Sequence, residues 1–175
     1  MDAALLVPGL LVKLAYSTPY NLTGKPLYPP DAKCLLRRSA AERLAAVARE
    51  LARKKLRLVA WDCARPLRAQ KELWRAYAHP GSVADPMRGS LHARGVAIDL
   101  GLAAPDGTEV PLPTKFDAFG PDAAADAKLP AGPALRNREL LRKAMHAHGW
   151  RVNPREWWHF SRLYGWRWPI AQPGF

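Results

Sequence analysis

The apolar positions along the chain fall into short runs of two kinds. Leu44, Val47, Ala48 and Leu51 recur at helical spacing behind Ser39-Ala40-Ala41-Glu42, a capping-box pattern, and predict an amphipathic helix over 39–55. Leu67, Gln70, Leu73, Trp74 and Tyr77 predict a second helix, opened by Pro66 and stopped by His79-Pro80-Gly81. A third opens at Asn137, carries Leu140, Leu141, Ala144 and Met145, and takes Gly149 as its C-terminal cap. The other runs are of strand type. The stretch 56–61 is short and apolar, and Val96, Ile98, Leu100 and Leu102 alternate with Ala97, Asp99 and Gly101. That alternation points Asp99 to the face opposite the apolar residues. Short strands are also expected at 150–152 and 156–160, and Asp106-Gly107 predicts a hairpin turn ahead of Glu109-Val110-Pro111-Leu112.

Between these elements the chain is irregular. Residues 1–30 are loop-rich and carry Tyr16, Tyr20 and Tyr28, while 113–133 is rich in Pro, Gly, Ala and Asp and predicts a long functional loop or lid. There is no internal repeat and no linker. The expected architecture is α+β: a small antiparallel sheet with helices packed against it, as a single domain over 1–175.

Composition narrows the class. An apolar fraction of 49% with seven tryptophans argues against disorder. Lys+Arg of 27 against Asp+Glu of 15 gives +12, a charge that attracts polyanions in bulk. The basic residues of 33–57 belong largely to the first helix, whose apolar positions already explain its layout. A solvated face is the simpler reading, and no nucleic-acid partner is expected. Two cysteines, Cys34 and Cys63, are too few for a disulfide framework, so free, partly buried thiols are expected, with one bridge in an exported form as the lesser case. No apolar run approaches the roughly 20 residues of a membrane span. The first residues lack the basic region of a signal peptide, which predicts a cytoplasmic protein, with the periplasm as the alternative if a leader has been removed. Oligomeric state is not legible.

The chemistry concentrates in Ser90-Leu91-His92-Ala93-Arg94-Gly95-Val96-Ala97-Ile98-Asp99 and Glu156-Trp157-Trp158-His159. His92, Asp99 and His159 are the ligand types of a catalytic zinc site, which leaves a fourth position for water, and Glu156 is placed to take a proton from that water. In one straight strand His92 and Asp99 would lie about 23 Å apart, and in one helix about 10 Å. The chain must therefore bend between them, and Gly95 is the residue that permits it. A lone His-to-Asp pair and a lone Glu-x-x-His are also common by chance. A carboxylate within an apolar strand is harder to dismiss, because once buried it must be paired or ligate a metal. Arg65 admits two readings, a surface cation paired with Asp62 or a fixed guanidinium aimed at a developing oxyanion.

Taken together these residues resemble the M15 group of zinc peptidases, and within it the D-alanyl-D-alanine dipeptidases of the VanX type. The likeness covers nearly the whole chain: Tyr16 to Gly24, Cys34-Leu35-Leu36, Asp62 to Pro66, both motifs above, Phe116-Asp117 and Asn137-Arg138. It implies one Zn2+ on His92, Asp99 and His159, with Glu156 as general base and Arg65 steadying the tetrahedral intermediate. Ser90 would help to place the substrate, and Asp117 with Tyr16 would hold the free amino group of a dipeptide. Cys63 and Ala64 depart from the bulkier residues expected before the arginine, and 118–133 does not match clearly. Two other readings stay open: a cell-wall carboxypeptidase or endopeptidase acting on longer stem peptides, and a zinc-containing wall-binding module without catalysis.

Overall fold

In the computed structural model, which describes residues 1–77 and 83–171, five strands pair in the order β1-β2-β3-β5-β4. They are β1 (Leu11–Val12), β2 (Arg57–Asp62), β3 (Ala97–Ala103), β4 (Trp150–Asn153) and β5 (Glu156–Arg162). All neighbours pair antiparallel except β1, which runs parallel to β2. The α+β architecture is as expected, with a mixed sheet in place of a purely antiparallel one. The two residues of β1 escape periodicity because so short a strand shows no alternation.

Among the described residues three α-helices accompany the sheet: α1 (Arg38–Ala52), α2 (Leu67–Ala76) and α3 (Pro133–Ala147). The register places Leu58, Leu100, Leu102, Ile98 and Phe160 on one sheet face, since cross-strand partners share a side. These are buried in one cluster with Leu44 and Leu51 of α1 and Leu141 and Met145 of α3. Fully burying each such side chain contributes about 1.5–3 kcal/mol. Truncating Leu51, completely buried, to alanine therefore costs about 2–5 kcal/mol. The basic side chains Arg38, Arg43, Arg49, Arg53, Lys54 and Lys55 lie exposed on and after the outer face of α1.

Several local expectations need correction. Arg37 is the N-cap of α1 and gives no side-chain cap, so Ser39 and Glu42 sit inside the helix and make no capping box. α3 begins at Pro133, four residues before Asn137, with proline in the first turn where its missing N–H is harmless. Gly149 does end it, with φ +76 and its N–H on His146 O. The turn at Asp106-Gly107 forms, but only an isolated bridge, Ala103 to Glu109, follows it. Pro111 lacks the N–H a longer ladder would need. The stop expected at 79–81 lies outside the described residues. Cys34 and Cys63 are not free thiols: both are buried and joined in a disulfide, with Cα atoms 5.1 Å apart. They meet because 34–36 runs beside the end of β2, where Ala64 N–H donates to Leu35 O at 2.9 Å. No helix among the described residues is long and apolar enough to cross a membrane.

Two irregularities in the sheet shape what stands on its second face. The register slips between Ala60 and Asp62 on β2, so that Asp62 pairs with Asp99 and Asp99 with His159, a row across three strands. On β4, Val152 pairs with Phe160 but Asn153 pairs with Glu156. Residues three apart in a regular strand point to opposite faces. The bulge breaks that alternation and lets Glu156 and His159 turn towards one space.

Candidate active site

The loop from Ser90 to Val96 folds back on itself before β3 begins. Gly95 takes φ +68, its N–H donates to His92 O at 2.9 Å, and Val96 N–H donates to Leu91 O at 3.2 Å. This is the bend that a shared metal requires of His92 and Asp99. A side chain at Gly95 would be strained, and its Cβ would lie 3.4 Å from Arg37 N. Ser90 Oγ accepts from Ala93 N–H at 3.0 Å and so braces the same turn.

His92 Nε2, His159 Nδ1 and Asp99 Oδ1 converge. The first two are 3.0 Å apart, and Asp99 Oδ1 lies 3.0 Å from His159 Nδ1 and 3.4 Å from His92 Nε2. The other His92 nitrogen, Nδ1, is 2.7 Å from Cys63 O. A carbonyl can only accept, so Nδ1 carries the proton and Nε2 presents a lone pair. Lone pairs brought this close repel unless a cation or a proton lies among them. One oxygen and two imidazole nitrogens form a donor set that suits zinc, and the residues present fit a metal ion.

Burial tunes the groups around this cluster. It opposes ionisation of Asp99, yet His92 and His159 beside the carboxylate hold its pKa below the ordinary value. Burial pushes Glu156 up to about 7, with Asp99 adding to the rise and His159 and Asn153 opposing it. Glu156 Oε2 accepts from Asn153 Nδ2 at 2.8 Å and lies 3.8 Å from His159 Nδ1. Burial likewise pushes Asp117 up to about 7, helped by Asp99. Asp117 Oδ2 accepts from the Tyr16 hydroxyl at 2.9 Å, and burial with Asp117 raises the Tyr16 pKa, keeping it a donor. Asp117 itself adopts φ +59, a left-handed conformation.

Arg65 has the partner that one of its readings expected. It pairs with Asp62, Nε at 2.8 Å and Nη2 at 2.7 Å, but the pair is buried and not on the surface. Burial works against the cation, and Asp62 with Tyr16, Tyr28 and Asp99 outweighs it, so the guanidinium stays charged. Its Nη1 donates to Gln70 Oε1 at 3.0 Å, and Nη2 lies 3.7 Å from Asp99 Oδ2. Asp62 is the hub here, accepting also from the Tyr28 hydroxyl at 2.6 Å and from Cys63 N–H at 2.9 Å.

All eight side chains named from the sequence, Tyr16, Arg65, Ser90, His92, Asp99, Asp117, Glu156 and His159, line one cavity of about 340 Å3. Phe119 from the long loop, Trp158 and Trp166 supply apolar wall. Two supporting residues, Gln70 and Asn153, escape the sequence reading, and Asp62 enters it only as a possible partner of Arg65 and not as a site residue. Asp62 carries a faint signal as a carboxylate ending an apolar run, while the other two carry none.

Comparison with known proteins bears on this site. The chain matches the peptidase M15 family, described as D-Ala-D-Ala dipeptidase, over residues 1–165. It is 37% identical over 161 residues to the D-alanyl-D-alanine dipeptidase of Escherichia coli (strain K12), covering 92% of this chain and 83% of that protein. The family match spans all five strands, and by these two matches the chain belongs to the M15 family of peptidases.

Proposed function

We propose that the chain hydrolyses the peptide bond of D-alanyl-D-alanine at a zinc site held by His92, Asp99 and His159. The observation that carries the reading is the convergence of three metal donors, a raised carboxyl and a fixed guanidinium in one small cavity. Members of the family are metallopeptidases, and the E. coli relative is named for this dipeptide. Zn2+ bound there would supply Lewis acidity, enough to bring the pKa of water to about 7.

The protein's own groups do the rest. Glu156 takes a proton from the attacking water and returns it to the leaving amine. The Asn153 amide holds one of its oxygens. Arg65 faces the carbonyl oxygen as negative charge develops, a role suited to a cation clamped by Asp62 and Gln70. Asp117 and Tyr16 hold the substrate's amino group, and Ser90 helps to place the substrate. At about 340 Å3 the cavity sits near the small end of the usual range of ligand sites, which favours a dipeptide over longer chains. The Cys34–Cys63 bridge favours the periplasmic location, because disulfides persist in oxidising compartments.

The test is hydrolysis of D-Ala-D-Ala by zinc-loaded protein, with the corresponding tripeptide and L-Ala-L-Ala alongside and Glu156→Ala as control. Cleavage of the D,D-dipeptide alone, lost in the variant by about 100-fold or more, is the expected result. Preference for the tripeptide would assign a carboxypeptidase. Zinc binding without cleavage of any peptide would assign a binding module.

A further inference from the structure

The segment after β5 carries large apolar side chains out into solvent. Leu163, Tyr164, Trp166, Trp168 and Ile170 are exposed by 44%, 71%, 57%, 40% and 37%. Scattered apolar residues on a surface need no explanation, but a contiguous group does. These fall within eight successive residues, and Arg37 and Arg94, joined by a hydrogen bond from Arg37 to Arg94 O, stack on Trp168 and Trp166. A Cβ at Gly89 would meet Ile170 at 2.7 Å, which places Ile170 against the turn that displays Met87, itself 88% exposed.

Guanidinium groups are laid between the rings. Arg37 stacks over Trp168 at 4.6 Å, Arg94 over Trp166 at 5.1 Å and Arg167 over Tyr164 at 4.8 Å. Backbone carbonyls fix two of them: Arg37 donates to Arg94 O and Pro169 O, and Arg94 to Trp168 O and Arg88 O. Residues 161–171 contain no carboxylate, and Arg88 and Arg167 are exposed at the margins. Of the acids near these residues in sequence, Asp99 and Glu156 are buried, Asp85 accepts from Met87 N–H, and Glu42 pairs with Arg38 at 3.8 Å.

We infer that this face docks on the surface of an anionic lipid bilayer. A polyanion such as nucleic acid would satisfy the arginines but leave Leu163, Ile170 and Met87 in water. A bilayer takes all three kinds of group: aliphatic side chains among the acyl chains, tryptophan and tyrosine at the headgroup level, and arginine on the phosphates. Trp166 also lines the catalytic cavity, so docking brings the cavity mouth beside the bilayer.

Sedimentation of the full chain with phosphatidylcholine vesicles, with and without phosphatidylglycerol, tests this. Binding is expected to the mixed vesicles, weakened by salt, with a blue shift of tryptophan emission. Trp168→Ser with Ile170→Ser should abolish the blue shift and most binding. Arg88→Glu with Arg167→Glu should weaken binding by about fivefold or more for each arginine. Unchanged hydrolysis and melting temperature would show that both variants fold, and neither touches the catalytic groups. No binding to mixed vesicles, or equal binding by the serine variant, would overturn the proposal. So would retention on single-stranded DNA, unaffected by the serine changes and without vesicle binding, which would assign the face to a polyanion.

Discussion

Glu156 and Asp117 open onto the same cavity with carboxyls that burial pushes to about 7, while Asp99 in that cavity is pushed down. A carboxyl with a higher pKa in the folded state binds its proton more tightly there. Its contribution to stability is complete below the unfolded value and is lost as pH rises through the folded one. Metal-free protein should therefore melt at a lower temperature at pH 8 than at pH 5, and Glu156→Gln with Asp117→Asn should erase the difference. Asp99 acts with the opposite sign and in a lower window, its contribution present above about pH 4 and lost as the pH falls further. A cation in the site favours the charged forms, so metal should flatten the upper slope. Tyr16→Phe removes the donor on Asp117, and should raise KM several-fold with little change in kcat. Gly95→Ala forces a side chain into φ +68, at about 1–2 kcal/mol, and should lower the melting temperature by several degrees and weaken zinc binding.

At the scale of elements, the sequence discloses what its own spacing constrains. The bend at Gly95 is legible because two candidate ligands seven residues apart fit neither a helix nor a strand. The strands holding Asp99 and His159 are legible from alternation and from an apolar run. The contribution of the β4–β5 turn is not legible, because asparagine before Pro154-Arg155 is ordinary turn chemistry and nothing local reveals a register slip. Yet Asn153 there accepts from Arg155 N–H at 3.1 Å and donates to Glu156 at 2.8 Å, coupling the turn to the proposed base. Asn153→Ala should cut kcat by about tenfold or more while leaving KM nearly unchanged, as expected when an aligned base loses its anchor. Gln70 hides for a different reason: in a helix pattern it simply fills a position on the buried face.

Pairings between distant parts of the chain are the least legible of all. Nothing in the surroundings of Cys34 or Cys63 says that 34–36 passes the end of β2. The bridge spans 29 residues, and by loop-closure entropy it contributes about 3–4 kcal/mol. Reduction should lower the melting temperature by roughly 6–16 °C for a chain of this size. It should also loosen zinc, since Cys63 O orients His92. The pairing of Asp99 with His159 joins residues sixty apart, and it has a kinetic meaning as well. On the proposed ligand set, slipping β5 by one residue against β3 would turn His159 to the other face and leave an ion two ligands. Metal thus rewards one register only. Contacts this far apart in sequence form slowly, and an ion that binds only the completed arrangement acts as a late latch, slowing unfolding more than it speeds folding.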